Sequence, residues 1–392
     1  MPRQVGVTHR IGGKRGSFRA ERQVNVRSVG VEEELLLVDG RSGEPRALST
    51  AVLAAARDPH ADEEVFESEL QRQQLEFATS PQTVMGDLGE EIRRCRAEAA
   101  RHAEGLNASV AALATSPLPV SPTIGTGERH QWLKEHFGLT AQEQLTCGCH
   151  VHVSVESDEE GVAVLDRIRP WLPVLLAMSG NSPFWQGEDS GYSSYRSRVW
   201  GRWPSAGPVE IFGSADRYHE QVADMVASGV LRDEGMVYFD ARLSHTYPTV
   251  EVRVADVCLD PSTTVLVATL VRGLVETAAR QWRDGEPPAR HGVALLRLAA
   301  WRAARSGLED QLVHPVTMRP APAEAVVRAL FDHVREALED SGDVVPAQEA
   351  LAGLLKTGNG ASVQRDLLRR TGDLREVVAE CARITTGYRT GC

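Results

Sequence analysis

Val29-Gly-Val-Glu-Glu-Glu-Leu-Leu-Leu-Val38 sets three consecutive glutamates inside an apolar run that otherwise reads as a buried strand. Unpaired carboxylates are costly in a core, so the run needs a reason. In a strand alternate residues face the same way, so Glu32 and Glu34 share one face and Glu33 points to the other. An edge strand with a solvated face would explain this blandly. Metal coordination by Glu32 and Glu34 would explain it functionally.

Two other short runs repeat the pattern far away in the chain. Cys147-Gly-Cys-His-Val-His152 puts His150 and His152 on one face and Cys147, Cys149 and Val151 on the other. That alternation opposes a mixed cysteine–histidine zinc site, which would need a broken strand. Histidines on such a face suit a metal shell or contacts to phosphate or carboxylate oxygen. Thr249-Val-Glu-Val-Arg-Val254 pairs Glu251 with Arg253 on one face. A carboxylate can hold a cation while an arginine meets the charge of a transferring phosphoryl group; a cross-strand salt bridge is the plain alternative.

Glu69 and Glu76 lie seven apart in Glu67-Ser-Glu-Leu-Gln-Arg-Gln-Gln-Leu-Glu-Phe-Ala-Thr79. Two helical turns would align them, whereas a regular strand would oppose them unless a bulge restored parity. The spacing leaves both open. In Tyr192-Ser-Ser-Tyr-Arg-Ser-Arg198, Arg196 and Arg198 stand among hydroxyls and tyrosines, a composition suited to forked binding of carboxylate or ATP phosphates. The first four of these pieces, converging on one sheet face, would make an oxygen-rich cleft for magnesium and a polyphosphate. The phosphate-loop, dinucleotide-binding, zinc-protease and nucleophile-elbow signatures are all missing from the chain.

The 392 residues suffice for a large core, and 42% hydrophobic with 25% charged residues is ordinary for a soluble globular protein. A formal charge of −11 argues against generic nucleic-acid binding. No apolar run reads as a membrane span, and six cysteines without paired metal spacing suit reduced thiols, so a cytoplasmic protein is expected. Residues 1–25 are basic and weakly patterned, and read as a disordered extension ahead of one catalytic domain at 26–392.

Strands are expected at Val26–Val38, Leu145–Val155 and Thr249–Val257, with an extended or mixed segment at Glu64–Thr79. Helices are expected at Thr83–Leu113, Gly161–Met178, Arg217–Leu231 and Ser262–Trp282, then through most of the last hundred residues. The aromatic Ser179–Ser214 stretch reads as an ordered lid. This order predicts an α+β fold: an antiparallel sheet covered by helices, with a helical C-terminal part that could serve a homodimer.

These pieces resemble the bacterial carboxylate–amine ligase family, the type-2 glutamate–cysteine ligases. The similar stretches are Ser28–Val38, Glu69–Thr79, His150–Val153, Ser182–Gly187, Thr249–Asp256 and Arg302–Glu309, in family order. The resemblance implies a glutamine-synthetase-like fold with an antiparallel sheet funnel. It further implies ATP, magnesium, and amide formation between a carboxylate, typically glutamate, and an amine, typically cysteine, through an acyl phosphate. Carried over, Glu32, Glu34, Glu69, Glu76 and Glu251 are metal ligands. Arg253 stabilises the transferring phosphoryl group, His150 lies near nucleotide or metal, and Arg196 binds ligand. His152 and Arg198 complete the nucleotide contacts expected from the residue reading. The rivals are a ligase for another acid and amine in specialised metabolism, an amino or guanidino phosphotransferase, and a non-catalytic nucleotide or amino-acid sensor.

Overall fold

The computed structural model describes residues 26–57 and 65–387. The basic stretch 1–25 lies outside them. In chain order the strands are β1 (Val29–Asp39), β2 (Phe66–Glu67), β3 (Gln74–Ala78), β4 (Ala108–Ala111), β5 (Gly148–Ser154), β6 (Phe184–Trp185), β7 (Glu188–Asp189), β8 (Ala241–Leu243), β9 (Thr249–Asp256), β10 (Gln311–Val313) and β11 (Pro320–Pro322). The helices before β8 are α1 (Ser49–Ala56), α2 (Met85–Glu104), α3 (Glu128–Phe137), α4 (Leu139–Gln142), α5 (Asp158–Ile168), α6 (Leu172–Ser179), α7 (Arg196–Trp200) and α8 (Ala215–Ala227). After β9 come α9 (Pro261–Arg283), α10 (Val293–Ser306), α11 (Ala323–Ser341), α12 (Val344–Thr357), α13 (Gly360–Thr371) and α14 (Leu374–Thr385).

The main sheet runs β2-β3-β1-β5-β9-β8, with β4 also paired to β1, and every pairing is antiparallel. β1 is therefore an interior strand, which removes the solvated-edge explanation for its glutamates. Its apolar residues Val29, Val31, Leu35, Leu36 and Leu37 are buried. Helices α2, α5, α6 and α9 pack behind the sheet, as the α+β expectation required.

Glu33 points into that rear layer. Arg96 of α2 donates Nε and Nη2 to its two oxygens at 2.8 Å each, and Thr264 of α9 donates to Oε1 at 2.6 Å. Arg96 also donates to the carbonyls of Cys258 and Leu259. Both charges are fully buried and fully paired, the condition under which a core tolerates them.

Several boundaries differ from expectation for local reasons. The helix expected over Thr83–Leu113 stops at Glu104, because Asn107 adopts φ 56° and turns the chain into β4. Gly161–Met178 is two helices broken around Pro170, whose ring and missing N–H end α5, while Pro173 sits in the first turn of α6. Strand β8 was not expected; its three residues are too short for a periodic signal. Helix α9 is long and apolar enough to cross a membrane by length and composition, yet 72% of its most apolar window is buried inside the fold. It is the central core helix, capped by the Asp260 side chain accepting from the Ser262 N–H, with Pro261 in its first turn.

Candidate active site

The ladder register assembles the front face. Glu34 stands opposite Glu76, Glu32 opposite His150, and His152 opposite Glu251, which in turn faces Arg242. A cavity of about 380 Å³ opens over this face. Its lining includes Glu32, Glu34, Glu69, Glu76, His150 and Arg253 from the sheet side, with Arg129, His130, Trp200, Trp203 and Tyr238 from the covering segments.

The electrostatics divide this face into two regions. Around Glu32, burial raises the carboxyl, but the hydrogen bonds with His150 and His152 outweigh it and hold the group far below its usual range. His150 Nδ1 lies 3.0 Å from one Glu32 oxygen and His152 Nε2 lies 3.1 Å from the other. Burial, aided by Arg253, lowers His150 to about 4, so its imidazole is neutral near pH 7. An ionised carboxylate only accepts, so Nδ1 carries the hydrogen and Nε2 keeps its lone pair. That Nε2 is buried with no hydrogen-bond partner among the described residues. A histidine whose other ring nitrogen donates to a carboxylate is the usual arrangement of a metal-ligating imidazole.

Around Glu34 the balance is opposite. Its Oε2 accepts from the Gly148 N–H at 2.8 Å and from Gln74 Nε2 at 3.3 Å. Burial and the Glu69 charge nevertheless raise it to about 7. Burial and Glu69 also raise Glu76 well above its ordinary value. Crowded carboxylates repel one another when ionised, and such an oxygen-rich set suits a hard divalent ion such as magnesium. Two triads have ligand atoms all within 4.8 Å of one another: Glu32, Glu76 and His150, and Glu32, His152 and Glu251.

Glu251 is held differently. Arg242 donates to it through Nε at 2.7 Å, and Arg253 donates to its other oxygen. Burial raises Glu251, but the two arginines prevail and hold it at about 2. The plain salt-bridge reading is therefore realised here, alongside the proximity to His152 and Glu32. Arg253 lies 5.9 Å from the Trp200 ring centroid and 6.0 Å from that of Tyr238, so two aromatic faces orient its guanidinium.

Some residues singled out in the sequence land elsewhere. Glu69 lies on neither a helix nor a bulged strand but in the loop between β2 and β3, and the intervening turn brings it beside Glu76. Arg196 is buried at the edge of the face, against Gly148 and 5.6 Å from the Trp200 centroid. Arg198, on the other side of the same short helix, is exposed and does not line the cavity. Cys147 and Cys149 are buried free thiols that burial pushes well up, conditions unsuited to thiolate ligands. Sequence reasoning missed Arg242, whose one signal is a charge inside the short apolar Ala241–Leu243 strand. It also missed Arg129 and His130, which a helical pattern gives no reason to aim at a remote sheet.

An antiparallel sheet with a carboxylate-rich face, backed by helices, is the glutamine-synthetase-like fold, and the family match makes the protein a ligase, an ATP-dependent enzyme that joins a carboxylate to an amine. The chain belongs to glutamate–cysteine ligase family 2, whose family model matches residues 28–380. A Streptomyces avermitilis protein named "Putative glutamate–cysteine ligase 2-1" is 69% identical over 362 residues, spanning 92% of this chain and all of that one. A Streptomyces coelicolor relative named in the same way is 66% identical over 92% of this chain and 99% of its own length. Among solved structures, the glutamate–cysteine ligase of Francisella tularensis in complex with AMP matches with a TM-score of 0.67 at 12% identity, over 92% of this chain and 89% of that one. A bifunctional glutathione synthetase from Pasteurella multocida matches with a TM-score of 0.69 at 14% identity, over 92% and 52%. At these identities the structural likeness concerns the fold.

Proposed function

We propose that this enzyme forms an amide between the carboxylate of an amino acid, glutamate first, and a small amine, cysteine first, through an acyl phosphate made from ATP, with residues 26–392 acting as one catalytic unit. One observation carries the reading: Glu32, Glu34, Glu76 and Glu251 meet Arg253 and a neutral His150 on one sheet face, with Glu69 brought beside them by the β2–β3 loop. The raised Glu34 and Glu76 and the free lone pair of His150 Nε2 fit a magnesium-type donor set. Magnesium, when bound, screens the repulsion between substrate carboxylate and ATP phosphates.

A carboxylate is a poor acyl donor. Its oxygen attacks the γ-phosphorus, the bond to the β-phosphate oxygen breaks, and ADP leaves. The neutral amine nitrogen then attacks the acyl carbon, the carbon–oxygen bond to phosphate breaks, and inorganic phosphate leaves with the electron pair while the nitrogen gives up one proton to it. Arg253, oriented by Trp200 and Tyr238, meets the charge on the phosphoryl oxygens. His150, neutral near pH 7, adds no positive charge that would compete with the cation. Arg196 and the Ser179–Ser214 segment close the edge and exclude water, which would otherwise hydrolyse the acyl phosphate.

The test is magnesium-dependent ADP release from ATP and glutamate, with and without cysteine, with product masses and Glu251→Gln as control. Amine-dependent release with a γ-glutamyl mass, lost in the variant, supports the reading. ADP with a stable phosphorylated amino compound and no amide would favour a phosphotransferase. ATP binding without turnover across acids and amines would favour a sensor.

A further inference from the structure

Asp256, the last residue of β9, is completely buried, yet its carboxylate is engaged by a segment distant in sequence. The Asn181 N–H and the Ser182 hydroxyl donate to Oδ2 at 2.8 and 2.7 Å. The Ser194 hydroxyl donates to Oδ1 at 2.8 Å. Ser182 Oγ in turn accepts the Arg196 N–H at 3.0 Å. One carboxylate thus ties both ends of the loop running from Asn181 to Arg196.

Beyond this anchor, the Arg196 guanidinium has little freedom. Its Nη1 lies 3.9 Å from Asp256 Oδ1, and it packs so closely on Gly148 that a Cβ there would collide with Nη2. The Gly148 N–H is the donor to Glu34. From the far side α13 braces the same loop. Asn359 Nδ2 donates to Ser193 Oγ at 2.9 Å, and Gln364 Nε2 donates to Asn181 Oδ1 at 2.7 Å. Arg365 forms a two-point ion pair with Asp189.

We propose that Asp256 is a positioning residue of the ligase: by holding Ser182 and Ser194 it fixes the Arg196 guanidinium over Gly148, at the edge of the carboxylate face. The proposal rests on the reading of that face as the ligase site. Its effect passes through Arg196, so the two residues should act as a unit.

A double-mutant cycle on the full chain tests this, with amine-dependent ADP release and amide exchange of 181–200 as readouts. Asp256→Asn and Arg196→Lys should each lower kcat/KM at least about tenfold, and the double variant should lose little more than the worse single. Exchange in 181–200 should quicken in Asp256→Asn and stay near wild type in Arg196→Lys. Gly148→Ala, which displaces Arg196 from the opposite side, should lower kcat/KM without quickening exchange. If Asp256→Asn does not fold, Ser194→Ala takes its place in the cycle. Losses that multiply, or wild-type kcat and KM in folded Asp256→Asn, would overturn the proposal. Should the wild-type enzyme turn over no amine, the function reading fails separately, and unchanged exchange in Asp256→Asn would still overturn the anchor.

Discussion

His150 Nδ1 lies 3.0 Å from the carboxylate of Glu32, its direct partner in the β1–β5 ladder. The contact selects the ring tautomer and leaves Nε2 buried with a free lone pair and no hydrogen-bond partner among the described residues. His150→Asn should therefore weaken divalent-ion binding by about 10–100-fold, measured by calorimetric titration with magnesium or manganese. A histidine that merely fills the core would change the melting temperature and leave the metal affinity alone.

Glu34 provides a pH signature. Burial and Glu69 raise it from 4.5 to about 7, so between those values the folded protein holds a proton that the unfolded chain has released. Stability from this group is fully present below about pH 4.5 and is lost as pH rises to about 7. Glu251, held at about 2, works in a lower window and loses its contribution as pH falls through 4.5 toward 2. Thermal unfolding in EDTA should therefore weaken from pH 5 to 7, and Glu34→Gln should flatten that slope. Magnesium binding near pH 6 should release protons, read as calorimetric heats that change with buffer. Binding with no proton release would contradict the raised carboxyl of Glu34.

The rear ion pair is structural. Glu33→Gln leaves the Arg96 charge buried against a neutral amide and should cost about 3–5 kcal/mol in urea denaturation. The surviving folded fraction should keep its kcat, because Glu33 faces away from the cavity. A loss of turnover at full stability would refute that division of faces.

Arg253→Lys keeps the charge and removes the planar fork that Glu251, Trp200 and Tyr238 orient. ADP-release kinetics should show kcat down by about 10²–10³-fold with a smaller change in KM for ATP. A rise in KM alone would make Arg253 a binding residue for the nucleotide.

Much of this protein was legible in the chain. Period-two alternation determined which of Glu32, Glu33 and Glu34 share a face, and put His150 and His152 together, because side-chain direction in a strand is a local property. The same property made the α+β sheet readable before any pairing was known. Tertiary structure decided the rest. Glu69 reaches Glu76 through a loop, since a turn obeys no period. Arg242, Arg129 and Asp256 matter only because strand order and loop docking bring them to the face or its edge. Even the protonation of Glu34 is non-local, set by burial and by a carboxylate 35 positions away in the numbering of the chain. Charge and burial act through space, and space is assigned only when the chain has folded.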